Sequence, residues 1–221
     1  MNHSTSDSIL ELTVSELLDR LGSADPAPGG GAAAALAGAL GAALVQMTAN
    51  LSIGRPRLAE IQDQAHQIAA RAGGLRRELA RLGDADTHAF DRVSAAYKLP
   101  RADEAQQADR STAIQAALGE AAAVPVRTAR LCAEVLELAE QAAPLLNAAV
   151  ISDVMVGAIL ASAALDSAAV NVEVNLASMT AAAAVESLQN ELDRARSGSA
   201  ERLTRILDAA RSRLAKPVPK R

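Results

Sequence analysis

From Pro26 to Gly54 the chain carries no charged residue. The segment reads Pro-Ala-Pro-Gly-Gly-Gly over Pro26–Gly31, continues in Ala, Gly and Leu, and closes on Met47-Thr-Ala-Asn50-Leu-Ser-Ile-Gly54. A surface helix keeps a polar face for solvent, whereas a helix apolar all round has to be enclosed. The segment is therefore expected to form a central helix from about Gly31 to Ile53, stopped by Gly54 with Pro56 just beyond. The triplet Gly29-Gly30-Gly31 leaves backbone N–H groups open at the helix start, where an anion can dock. Glycines there equally serve a sharp turn or a close helix approach. The triplet lacks the Lys-Ser/Thr ending of a phosphate loop, and no strand precedes it, which excludes a dinucleotide fingerprint.

Half of the 221 residues are apolar, yet Phe90 and Tyr97 are the only aromatic ones. The core must be built from Ala, Leu, Val and Ile, with helices drawn close through small side chains. The net charge of −4 leaves no basic excess to neutralise phosphates, so nucleic acid is excluded as a partner. The single cysteine, Cys132, excludes an internal disulfide and a Cys-rich zinc site, and it fits a reducing cytoplasm. It is expected as a small buried hydrophobe. Met1–Ser8 has no basic stretch leading into an apolar one, so it does not read as a secretory signal. The chargeless segment is long enough to cross a bilayer. Ala and Gly, however, transfer poorly into lipid and no aromatic anchors flank it, so no membrane association is expected.

Nearly everything else also reads as helix. Thr13-Val-Ser-Glu16 is a capping-box pattern, followed by an apolar stripe of Val14, Leu17, Leu18 and Leu21. A third helix is expected over about 57–82, interrupted at Gly83-Asp84-Ala85-Asp86 and resumed to about Lys98. Pro100 then closes it. Residues 103–140 form a long helical stretch with a kink expected at Pro125. A loop over 144–152 precedes a second strongly apolar helix over about 153–179. One last amphipathic helix covers about 181–215. The expected fold is an all-α, single-domain bundle of about five to seven helices around two nearly chargeless ones. Residues 1–8 are expected to be disordered, 9–215 to form the domain and 216–221 to be a basic tail. Two nearly chargeless helices are many for one small domain to hide, so a homodimer is expected.

Asp84 and Asp86 flank the expected break. Each suits an N-cap; each also suits a carboxylate at a cavity edge, acting as general base or holding a cationic substrate. Asn171 and Asn175, four apart, share one helix face. They either bond between helices or read the polar edge of a planar ligand, and Asn50 raises the same question on the other chargeless helix. Arg55, Arg57 and Lys98 are surface charges that would attract a polyanionic tail if they ring a cavity. His3, His66 and His88 show no metal spacing.

Taken in order, Pro28-Gly-Gly-Gly31, the chargeless helix with its Asn50-Leu-Ser-Ile-Gly54 ending, Asp86-Thr-His-Ala-Phe90, Tyr97-Lys-Leu-Pro100, Val124-Pro-Val126, Ile151-Ser-Asp153 and Asn171-Val-Glu-Val-Asn175 resemble the cyclodeaminase/cyclohydrolase family. The likeness covers about residues 10–190. It implies a helical homodimer acting on a one-carbon derivative of tetrahydrofolate, without metal or redox cofactor. The family's reactions are hydrolysis of 5,10-methenyltetrahydrofolate to 10-formyltetrahydrofolate and closure of 5-formiminotetrahydrofolate with loss of ammonia. Through the resemblance, Asp86 matches the catalytic aspartate and Gly29, Gly30 and Gly31 the glycine loop near the folate. Asn50, Ser152, Asp153, Asn171 and Asn175 match polar positions that line the pterin pocket, and Lys98 is a candidate for the substrate's anionic tail. Two departures stand out: Arg55-Pro-Arg-Leu58 replaces a Lys-rich run, and Ala149 replaces an amide ahead of Ser152-Asp153. The free-standing chain favours the cyclohydrolase over the cyclodeaminase; a non-catalytic folate-binding or structural dimer is the third reading.

Overall fold

The computed structural model describes residues 8–214, so the expectations for residues 1–7 and for the basic tail 216–221 lie outside them. Among these residues the chain forms seven α-helices and no strand: α1 (Val14–Leu21), α2 (Gly30–Asn50), α3 (Gln62–Tyr97), α4 (Glu104–Ala142), α5 (Ile151–Leu176), α6 (Ala182–Arg196) and α7 (Ser199–Leu214). Short 3-10 turns precede α1, α3 and α5.

The Thr13 capping box forms as read, with Thr13 Oγ1 accepting from Glu16 N–H and the Glu16 carboxylate accepting from Thr13 N–H. No residue of α1 is buried, and Val14 and Leu18 are 75% and 61% exposed. The chargeless α2 lies along α3 and α5, with α4 beyond. Its buried residues are mostly Ala and Gly, as the near-absence of aromatics required. A Cβ placed on Gly41 would sit 2.7 Å from the Gly157 carbonyl oxygen, and one on Gly157 would sit 2.8 Å from that of Gly41. Glycine on both sides is therefore what lets α2 and α5 touch backbone to backbone.

Helices α3 and α4 run antiparallel, joined by a ladder of ion pairs: Arg71 with Glu134, Glu78 with Arg127 at 3.2 Å and Arg92 with Glu120 at 2.8 Å. Such exposed pairs contribute about 0–1 kcal/mol each and mainly set register. Below them the core is Leu, Val, Ile and Ala, including Leu75, Leu79, Leu136, Val154 and Leu165. Glu140 accepts from Arg202 and Arg205 and pins α7 across α4, and the Arg205 contact chiefly holds its carboxyl below the usual range.

Three expectations are corrected. The Gly83–Asp86 stretch does not interrupt the helix, which continues as one element of 36 residues. Gly83 is buried against Ile9 and Leu36, so packing overrides its low helix propensity. Neither Asp84 nor Asp86 is an N-cap; Asp84 instead accepts from Ser8 Oγ and Ile9 N–H, both at 2.7 Å, so Ser8 is part of the ordered structure. Pro125 lies inside α4, as read. The final helix is two, α6 and α7, parted where Gly198 takes a positive φ of 70°. Cys132 is buried as expected, and burial pushes its thiol up to about 12.

Candidate active site

The antiparallel run of α2 and α5 brings the start of one beside the end of the other. Over that junction α3 lays Asp86, Ala89, Phe90 and Val93, spaced along one helix face. Together with the Pro26–Gly31 turn and Ala121 of α4, these elements enclose a half-open cavity of about 310 Å³. The continuity of α3 matters here: one rigid helix carries the Asp86 and Phe90 face from the packed stretch around Leu75 and Leu79 and so fixes its position over α2 and α5.

Asp86 is the one ionisable group among the residues lining this cavity. Burial pushes its carboxyl pKa above the usual value, while the Ala32 N–H, in the first turn of α2, donates to it and works the other way. Desolvation is the larger effect, so the group is a stronger base than a surface aspartate. Asn171 and Asn175 supply the neutral polar wall. Asn171 Nδ2 donates to the Ser167 carbonyl on its own helix at 2.9 Å, and Asn175 Nδ2 donates across to the Ala121 carbonyl of α4 at 3.2 Å. Each amide nitrogen spends one of its two N–H groups on these bonds, so the second N–H and the amide oxygen of each side chain are left to meet a ligand. Phe90 is 40% exposed at the rim, where its ring can lie against a planar group.

The structure thus brings Gly29, Gly30, Gly31, Asp86, Asn171 and Asn175 around one space. It does not bring Asn50, Ser152, Asp153 or Lys98 there. Asn50 ends α2 and Ser152 begins α5, each about 28 Å along its helix from the cavity. That far end has its own network: Asn147 N–H donates to Ser52 Oγ at 2.9 Å, and Arg57 donates to the Asn147 side chain at 2.7 Å. Lys98 is exposed at the C-terminal end of α3, about 18 Å along the helix from Asp86. Residue-level reading missed Phe90, Val93, Ala121 and Val174 as lining groups. Phe90 and Val93 follow Asp86 at helical spacing on the segment expected to run to Lys98, and that spacing was the signal that could have found them; Ala121 and Val174 carry no sequence signal. Among the described residues no three His, Cys, Asp or Glu side chains converge on a point.

Residues 13–194 match the formiminotransferase-cyclodeaminase family model. The chain belongs to that family. A methenyltetrahydrofolate cyclohydrolase of Methylorubrum extorquens is 43% identical over 82% of this chain and 87% of its own length. The formimidoyltransferase-cyclodeaminase of Rattus norvegicus is 30% identical over 78% of this chain, which spans 32% of that longer protein. The crystal structure of a formiminotetrahydrofolate cyclodeaminase from Thermotoga maritima superposes with a TM-score of 0.83 at 26% identity, covering 93% of this chain and 98% of that one. The family assignment reaches across α2–α5, so it takes in every element that contributes to the Asp86 cavity.

Proposed function

We propose that this protein is a methenyltetrahydrofolate cyclohydrolase, opening 5,10-methenyltetrahydrofolate with water to give 10-formyltetrahydrofolate. The observation that carries the reading is Asp86, a desolvated carboxylate in a cavity otherwise lined by neutral groups. Such a group is completed by a cation, and the methenyl bridge is a planar amidinium. Asp86 holds the bridge carbon close and takes a proton from the attacking water. The tetrahedral carbon then expels the ring nitrogen N5, leaving the formyl group on N10. Water is consumed, one proton is released and no electron is transferred, so the reaction calls for no metal or redox cofactor. The positive charge disappears as the C–O bond forms. Charge pairing therefore serves binding, and the raised basicity of Asp86 serves the rate.

The second reading, closure of 5-formiminotetrahydrofolate with loss of ammonia, uses the same cavity. The higher identity to the cyclohydrolase, 43% against 30%, favours hydrolysis. A homodimer and a cytoplasmic location belong to the proposal. The dimer is supported by the face of α2 and α5 turned away from α3 and α4, where Leu40, Ile159 and Val170 are 60%, 47% and 57% exposed. Within this proposal Asn50, Ser152 and Asp153 stay substrate-binding candidates, reaching the cavity from a second copy of the chain. The cytoplasmic placement is supported by a single cysteine held buried and reduced.

The test is the decay of the methenyltetrahydrofolate absorbance against a blank without protein. Wild-type protein should accelerate it, and Asp86→Asn should lose about 10²–10⁴-fold of kcat/KM with helicity intact. Acceleration absent here but chromophore formation from 5-formiminotetrahydrofolate would move the protein to the cyclodeaminase; inactivity toward both would leave the non-catalytic reading.

A further inference from the structure

The three glycines ahead of α2 are chemically identical but not structurally equivalent. A Cβ on Gly29 would meet nothing nearer than the Pro26 carbonyl oxygen at 3.7 Å, and one on Gly30 nothing nearer than the Asn171 amide at 3.7 Å. Both are ordinary van der Waals separations. A Cβ on Gly31 would lie 2.5 Å from Asp86 Cγ and 2.6 Å from Oδ2, and closer still to Oδ1. No arrangement keeps a methyl group and the carboxylate in that space together. Of the two, the short Asp86 side chain is the part able to give way, because Gly31 belongs to the first turn of a helix enclosed by α3 and α5.

We infer that Gly31 is a positioning residue for Asp86: the missing side chain is the seat into which the carboxylate fits. Seated there, the carboxylate faces the first turn of α2, where the Ala32 N–H donates to it, and remains partly withdrawn from solvent. Dislodged, it would turn outward into water and lose both the donor and its place at the cavity wall. The effect on turnover rests on the cyclohydrolase reading; the seating itself does not.

The test is a double-mutant cycle read in two ways. In thermal melts, Gly31→Ala should lower Tm in the wild-type background. The drop should shrink by at least about half when Asp86→Ala has removed the carboxylate. Gly74→Ala, where a Cβ meets nothing within 4 Å, is the control and should show no such coupling. In activity, Gly31→Ala should cut kcat/KM by about 100-fold or more, yet change it less than about threefold when added to Asp86→Asn. A carbon-13 titration of the Asp86 carboxyl should show its midpoint fall toward the ordinary range in Gly31→Ala. Should Gly31→Ala alone fail to fold, recovery of folding in the Gly31→Ala, Asp86→Ala double variant supports the seat. Equal Tm losses in both backgrounds, or failure of the double variant to fold, overturns it. Wild-type protein that melts as described but hydrolyses nothing would refute the function and leave the seat standing.

Discussion

Asp86 is placed where its ionised form is costly. Its folded-state pKa lies above the unfolded value because burial outweighs the Ala32 hydrogen bond. The folded chain therefore holds the proton more tightly than the unfolded chain. The stability linked to that proton is fully present below the ordinary aspartate value and is lost as pH rises through the raised folded value. Above that folded value the cost is carried in full. Asp86→Asn has the same shape, still accepts from Ala32 and never ionises. It should melt higher than wild type at pH 7, by about 2–4 °C for each kcal/mol relieved, and the gap should close as pH falls below the usual aspartate range. Melting curves across that range decide it; a variant less stable at neutral pH would mean the carboxylate is a net stabiliser. A site that sacrifices stability for basicity is the expected direction of trade for a general base.

Among the elements, the α2–α5 contact is the one the cavity depends on. The two helices meet through Gly41 and Gly157, and towards the start of α2 the same pair presents Gly30 and Asn171 to the opening. Gly41→Ala should force the backbones apart and cost about 1–3 kcal/mol. Urea unfolding should show this as a lower midpoint with an unchanged slope. An unaffected midpoint would mean that the helices slide apart without loss. The elements themselves were mostly legible. The Thr13 box, the chargeless α2, the proline stop after α3 and the apolar α5 all follow from local residue chemistry. Two elements were misread for opposite reasons. Gly83 looked like a break but is held helical by Ile9 and Leu36, which come from distant parts of the chain. Gly198 lies in a stretch whose apolar spacing carried straight across it, yet there the backbone turns through a positive φ.

For the whole molecule, the unfinished surfaces are informative. The α2–α5 face exposes Leu40, Val156, Ile159 and Val170, and α1 presents Val14 and Leu18 while burying nothing. A helix of eight residues is marginal alone in water. A second copy is the simplest cover for both. Light scattering should give twice the chain mass, and Ile159→Glu should reduce it to one chain with a loss of activity. If the partner completes the cavity, mixing inactive Asp86→Asn and Asp153→Asn subunits should restore about a quarter of the sites. A monomeric wild type would remove the dimer from the proposal. The sequence alone determined the helical class, the chargeless α2, the small-residue core and the family likeness, because these depend on local propensity and on the solvent preference of each residue. Which polar residues meet was decided by tertiary structure. The motifs of α2 and α5 place glycine or polar residues at both ends of each helix, and the antiparallel packing separates them, joining Gly31 to Asp86 and Asn171 while sending Asn50 and Asp153 to the far end. Spacing along a helix is a local quantity; the partner across the gap is set by how whole helices cross.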